Sequence, residues 1–273
     1  DPDEQGKSKD FFAISGGKAN RDLHNAWRAA RANGIGLSDA RHSFRYRRSR
    51  RGSRPDLPAT VRASLRAGGE PIRRHWREPG ERLRRLVVLL DISGSMEPYA
   101  RAMLRFVHAA VSGRQRVEAF AIGTRLTRMT KELHSRDPDT ALAAAGRRVH
   151  DWSGGTRLGD CLREFNDQWG VRGMARGAIV VILSDGWDRG DPQVLADQMQ
   201  RLQRITYQTI WVNPLKVTPG YAPLARGMAA ALPFVDDFVE GHSLSAMHEL
   251  AGVIAGAPLR RKSQVTPSKL EPR

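Results

Sequence analysis

From Leu86 onward the apolar residues alternate between short unbroken runs and helically spaced faces. Leu86–Ile92 (LVVLLDI) is a continuous apolar run, as a parallel strand shows when both its faces are covered. Tyr99–Val111 (YARAMLRFVHAAV) spaces Ala102, Leu104, Phe106, Val107 and Val111 as one side of a helix, so the two segments read as a βα unit. The alternation continues with predicted strands at Val117–Ile122 and Leu126–Thr130, joined through Gly123-Thr124, and helices at Thr140–Val149 and Thr156–Trp169, the latter introduced by Gly154-Gly155. Ala178–Leu183 (AIVVIL) is the next buried strand, followed by a helix at Pro192–Leu202. Strands at Tyr207–Val212 and Phe234–Phe238 and a helix at Ser243–Ile254 close the pattern. Repeated β then α over about 170 residues predicts an α/β fold, a doubly wound, mostly parallel sheet of Rossmann-like character.

Upstream of Leu86 the pattern is weaker. Short helices are predicted at Asp22–Ala32, ended by Asn33-Gly34, and at Pro58–Ala67, closed by Gly68-Gly69, with Pro71–Arg77 extended. The expected organisation is a basic, partly disordered extension over 1–57, a lead-in over 58–85, the main domain over 86–257 and a polar basic tail over 258–273. No apolar run approaches the roughly 20 residues needed to span a bilayer. The opening DPDEQGKSKD resembles neither a secretion signal nor a transit peptide, and the lone Cys161 forbids an intrachain disulfide; both favour a reducing, cytoplasmic setting.

Charge sharpens this division. The net charge of +16 belongs to the ends: residues 1–85 carry 21 Lys and Arg against 10 Asp and Glu, whereas residues 86–257 carry 19 against 18. It concentrates in Arg41–Arg54 (RHSFRYRRSRRGSR), where seven of fourteen residues are Arg. Three readings are open for that stretch: a solvated arm, a docking surface for an acidic protein, and a nucleic-acid contact. Only Phe44 and Tyr46 are available there for base stacking, and specific base readout is not supported.

In sheets of this type, ligands bind beyond the carboxyl ends of the strands, near the point where strand order reverses. The first buried strand ends in Asp91-Ile92-Ser93-Gly94-Ser95 and the strand Ala178–Leu183 ends in Ser184-Asp185-Gly186, while Trp152-Ser153-Gly154-Gly155-Thr156 precedes an intervening helix. Asp91, Ser93, Ser95, Thr156 and Asp185 are therefore candidate metal ligands. Two carboxylates and three hydroxyls suit a small hard cation, Mg²⁺ by default with Mn²⁺ or Ca²⁺ as alternatives. With the carboxylates bonded to metal-bound water, the cation would keep positive character on its open side, where an Asp or Glu of a partner could complete its shell.

The same residues carry a resemblance. Asp91-x-Ser93-x-Ser95, Thr156 in a GGT loop and Asp185 in SDG resemble the metal-ion-dependent adhesion site (MIDAS) of von Willebrand factor A (VWA) domains. SLRAGGEP at Ser64–Pro71, FAIGTRLTRMT at Phe120–Thr130, DWSGGTRLGDCLREFN at Asp151–Asn166, LSDGWDRGDP at Leu183–Pro192 and IWVNPL at Ile210–Leu215 resemble the CoxE-like branch over about Pro58–Ile254. That resemblance implies a non-enzymatic accessory protein working with a MoxR-type AAA+ ATPase in maturing a molybdenum enzyme, carbon monoxide dehydrogenase being the leading client. GGTRLG lacks the Lys and spacing of a Walker phosphate loop, so ATP hydrolysis is expected from the partner.

Several of these residues, and their neighbours, also suit plainer roles. An isolated DxSGS is compatible with ordinary helix capping, and Asp188 and Asp191 read as caps rather than ligands. Cys161, among Leu158, Leu162 and Phe165, reads as a buried structural thiol. His108, His150, His242 and His248 lack metal-ligand spacing. Trp169 and Trp211 fit core positions, while Trp152 and Trp187 could wall the site or anchor a partner. A haloacid-dehalogenase-type phosphotransferase would need a second carboxylate where Ser93 stands and a Lys after Asp185.

Overall fold

The computed structural model describes residues 25, 40–69, 74–113, 116–149, 155–215, 225–241 and 243–254. The predicted helix at Asp22–Ala32, the tail from Pro258 and His150, Trp152 and His242 fall outside that set, Asn25 apart.

A three-stranded antiparallel sheet comes first, built from β1 (Ala40–Ser49), β2 (Arg54–Pro55) and β3 (Trp76–Leu83) in the order β1-β3-β2. The arginine-rich stretch, expected foremost as a solvated arm, is thus largely a paired strand; Tyr46, Arg47 and Arg48 remain exposed on it. Its periodicity is masked because a solvated strand face has no need of apolar residues. Helix α1 (Leu57–Arg66) follows β2. Buried Asp56 caps it by accepting from Ala59 N at 3.1 Å, and binds Arg77 of β3 at 2.6 Å.

The main sheet comprises β4 (Leu86–Asp91), β5 (Val117–Ile122), β6 (Leu126–Arg128), β7 (Ile179–Leu183), β8 (Gln208–Asn213) and β9 (Asp237–Glu240) in the order β6-β5-β4-β7-β8-β9. All pairs are parallel except β5 with β6. The α/β prediction therefore holds. Helices α2 (Glu97–Gly113), α3 (Pro138–Arg148), α4 (Leu158–Phe165), α5 (Pro192–Gln203), α6 (Arg226–Ala231) and α7 (Leu244–Ile254) cover its two faces. Strand β4 explains why the run LVVLL is unbroken. Leu86, Val88 and Leu90 join a core with residues of α2, α3 and α7; Val87 and Leu89 join a second core with α4, α5 and α6.

Boundaries moved in several places: the strand predicted over Phe234–Phe238 begins only at Asp237, because Leu232–Phe234 closes a 3₁₀ turn before it. The helix predicted over Thr156–Trp169 begins at Leu158 and passes after Phe165 into a π-helical segment, Asn166–Met174, interrupted at Gly173 (φ 110°). Helix α6, with only six residues, lacked enough turns to show a period. Among the described residues no helix is long and apolar enough to cross a membrane.

Candidate metal centre

The chain leaves β4 for β5 on one side and returns to β7 on the other, so the strand order reverses at the carboxyl ends of β4 and β7. Asp91 is the last residue of β4, and Asp185 lies two residues past β7. Between β4 and α2, a short 3₁₀ turn over Gly94–Met96 folds the loop back, bringing Ser93 Oγ within 3.1 Å of Ser95 Oγ. Thr156 arrives from the loop before α4 and donates its hydroxyl to Asp91 Oδ1 at 2.8 Å. The structure thus links Asp91, Ser93 and Thr156 directly, sets Ser95 against Ser93, and places Asp185 across the same strand ends.

Burial grades the site. Asp91 is fully buried and Thr156 and Asp185 nearly so, whereas Ser95 is exposed at the rim. A side chain at Gly94 would meet nothing within 4 Å, so this is the open side. Burial pushes the Asp91 carboxyl up to about 6, opposed by hydrogen bonds from Ser184, Ser93 N and Thr156, while nearby Asp185 raises it further.

Sequence reasoning undervalued Ser184. Its hydroxyl donates to Asp91 Oδ2 at 2.6 Å and accepts from Gly186 N at 3.0 Å, so it both satisfies the buried carboxylate and shapes the next turn. The available signal was a hydroxyl directly following five apolar strand residues, one position before the carboxylate that drew attention. Further clasps come from β8: Trp211 Nε1 donates to Ser184 O at 2.9 Å and Asn213 Nδ2 to Asp185 O at 3.0 Å. Gly186, at φ +81°, lies so close to α6 that a Cβ would stand 2.7 Å from Met228 Cβ.

The aspartates of DGWDRGD divide their work. Asp191 caps α5 through Gln193 N, as its position before Pro192 suggested. Asp188 instead accepts from Leu158 N at 3.0 Å at the start of α4 and from Gly190 N at 2.9 Å. With Arg189 N donating to Thr156 O at 3.0 Å, it ties the Thr156 loop to the Asp185 loop. Trp187 is 66% exposed, so it does not wall the site. Cys161 is buried, with its thiol pushed up to about 12 by desolvation. Trp211 lies in the core, and Trp169 packs partly buried against Phe120.

These residues fit a hard divalent cation on their donor chemistry. No group of three His, Cys, Asp or Glu gathers among the described residues, so hydroxyls dominate the donor set. Thr156 spends its proton on Asp91, leaving it only lone pairs to offer outward. The 3.1 Å between Ser93 and Ser95 oxygens is close to the roughly 3 Å separating adjacent ligands in an octahedron of radius about 2.1 Å.

Comparison with known proteins gives two kinds of likeness. The family described as "VWA domain containing CoxE-like protein" matches residues 26–247. No curated protein matches the sequence. Among solved structures, the von Willebrand factor type A protein from Catenulispora acidiphila is similar at 14% identity and a TM-score of 0.46, covering 67% of this chain and 43% of its own. The manganese-loaded Plasmodium vivax TRAP protein is 21% identical with a TM-score of 0.37, covering 47% of this chain and 56% of its own. Mussel byssus proximal thread matrix protein 1 with a zinc-occupied MIDAS motif is 15% identical with a TM-score of 0.41, covering 63% and 44% respectively. The chain thus spans about half the length of these structures.

Proposed function

Because the chain belongs to the CoxE-like VWA family, we propose that Asp91, Ser93, Ser95, Thr156 and Asp185 hold a divalent cation, Mg²⁺ by default, and that this face binds a protein partner. The family suggests a metal-dependent protein-interaction domain. The observation that supports the reading here is the Thr156-to-Asp91 hydrogen bond, which turns a buried carboxylate into a support for hydroxyl ligands. Ser95 lines the exposed side with Ser93 buried just beneath it, Asp91 and Ser184 fix the floor, and Trp187 stands where it can pack against an incoming chain. A cation bound there supplies a positive, coordinatively open face for a carboxylate of the partner. The role proposed is non-enzymatic and cytoplasmic. The partner is a MoxR-type AAA+ ATPase, and the client a molybdenum enzyme such as carbon monoxide dehydrogenase.

Retention of proteins from the native extract on purified chain tests this, in Mg²⁺, in EDTA, and with Asp91→Ala combined with Ser93→Ala. An AAA+ ATPase or molybdenum-enzyme subunit retained only with Mg²⁺ and the intact site is the expected result. Retention indifferent to metal and to both substitutions overturns it. A second reading rests on the exposed Tyr46, Arg47 and Arg48 of β1: binding of nucleic acid or an acidic protein. That binding would survive chelation and weaken steeply with salt.

A further inference from the structure

The other end of the main sheet carries a second concentration of charge. Arg85 immediately precedes β4, Arg116 precedes β5, and Arg176 and Gly177 lie in the turn before β7. With Gly173 they line a half-open cavity of about 200 Å³. It lies at the amino ends of strands whose carboxyl ends carry the metal-site residues, roughly 20 Å away along β4.

The arginines are held in place. Arg85 Nη1 donates to the carbonyls of Gly173 and Met174 at 3.1 and 3.3 Å, and Arg116 Nη1 donates to Leu83 O at 3.1 Å. Neighbouring Arg84 bonds Gly177 O at 3.3 Å and lies 3.5 Å over the Tyr207 ring. Capping the end of the π-helical segment accounts for Arg85 Nη1 alone, and a guanidinium has five N–H donors on three nitrogens. Arg116 also has a left-handed backbone, φ 66°, unique among the described non-glycine residues; such conformations are uncommon outside glycine and concentrate at functional sites. A Cβ at Gly173 would meet nothing within 4 Å, so no atom crowds that glycine.

No carboxylate stands among the described lining residues, and neither Arg85 nor Arg176 pairs with one among the described residues. Arg85 and Arg176, two like charges on one concavity, repel each other and focus a positive field into it, which an anion relieves. The volume is below the roughly 300–1,000 Å³ of sites for drug-sized ligands. It suits a phosphate or diphosphate group, whose oxygens the guanidinium fork matches. We propose that Arg85 and Arg176, on a cavity whose wall Arg116 completes, form a binding site for a phosphate-type oxyanion, free or as the phosphoryl end of a larger molecule.

The test is calorimetric titration of the full chain with inorganic phosphate, pyrophosphate and ADP, in low-salt chloride buffer with EDTA so that the metal site does not contribute. Arg176→Gln is the primary variant because that side chain is exposed and its loss spares the fold; Arg62→Gln, exposed on α1, controls for overall charge. Saturable binding, weakened about tenfold or more by Arg176→Gln as expected for one charge-assisted pair and unchanged in Arg62→Gln, supports the site. ADP binding tighter than pyrophosphate points to a phosphorylated molecule, and equal binding to the free anion. No saturable binding, equal affinity in Arg176→Gln, or the same response to added chloride overturns the proposal.

Discussion

The Ser184 hydroxyl sits 2.6 Å from Oδ2 of Asp91, joining the end of β7 to the end of β4 inside the protein. Its removal in Ser184→Ala leaves a buried carboxylate oxygen without that donor. The expected cost is about 1–3 kcal/mol of unfolding free energy, read from urea midpoints at unchanged slope. Metal affinity should fall about 10–100-fold, as for partners that orient ligands from behind; titration with Mn²⁺ followed by electron paramagnetic resonance measures it. Wild-type affinity in the variant would show that Ser184 does not support the ligand set.

Cation binding should appear as stability. At about 100 times its dissociation constant, Mg²⁺ is expected to add about 2.7 kcal/mol to the folded state. The gain should vanish in Asp91→Ala and in Ser93→Ala, as measured by denaturation with and without EDTA. A gain retained in both variants would put the cation elsewhere.

Two glycines near the site should respond very differently to alanine. Gly186→Ala imposes a left-handed backbone on a residue with a Cβ, about 1–2 kcal/mol, and drives that atom against Met228 Cβ. Gly94→Ala enters open space with no such backbone demand, so its effect should stay within about 0.5 kcal/mol. Thermal and urea unfolding of the pair checks the contrast.

The Arg77 hydrogen bond, reinforced by Ala59 N and opposed by burial, holds Asp56 below its ordinary carboxylate value of 3.8. A depressed folded value means that ionised Asp56 stabilises the protein above the unfolded value and loses this effect as pH falls through the folded one. The stability gap between wild type and Asp56→Asn should therefore be full at neutral pH and close below pH 3.8. A gap constant down to acid pH would assign the loss to packing rather than charge.

Cys161 should be unreactive in the folded chain. It is buried, its thiol contacts Gly123 O at 3.6 Å, and desolvation moves it to about 12, so almost no thiolate exists at neutral pH. Ellman's reagent should label it only at the rate of unfolding, with one thiol released at once in denaturant. Rapid native labelling would contradict its placement.

Most of the main domain was legible because its strands are buried on both faces and its helices on one. Periods of that kind in AIVVIL and YARAMLRFVHAAV come directly from the two-layer covering. The ligand candidates were legible for a related reason: Asp91 and Asp185 are polar residues abutting apolar strands, where the topology must put them at the reversal of strand order. What stayed hidden depends on partners distant in sequence. Strand β1 is recognised only through its pairing with β3, and Ser184 and Asp188 act through Asp91 and Leu158, some 93 and 30 positions away. No local pattern encodes such hydrogen bonds.

Strand β4 offers five aliphatic residues in succession, three to one core and two to the other. Such a strand has nearly interchangeable faces, and a slip against β5 or β7 would exchange aliphatic for aliphatic at little cost. Asp91 ends that ambiguity. Only one alignment brings its two oxygens to Ser184 and Thr156; a slid strand would strand the carboxylate among apolar side chains. The same residue that would support a cation is thus the index mark by which the central strand finds its place, a duty it performs in every folded molecule, loaded or not.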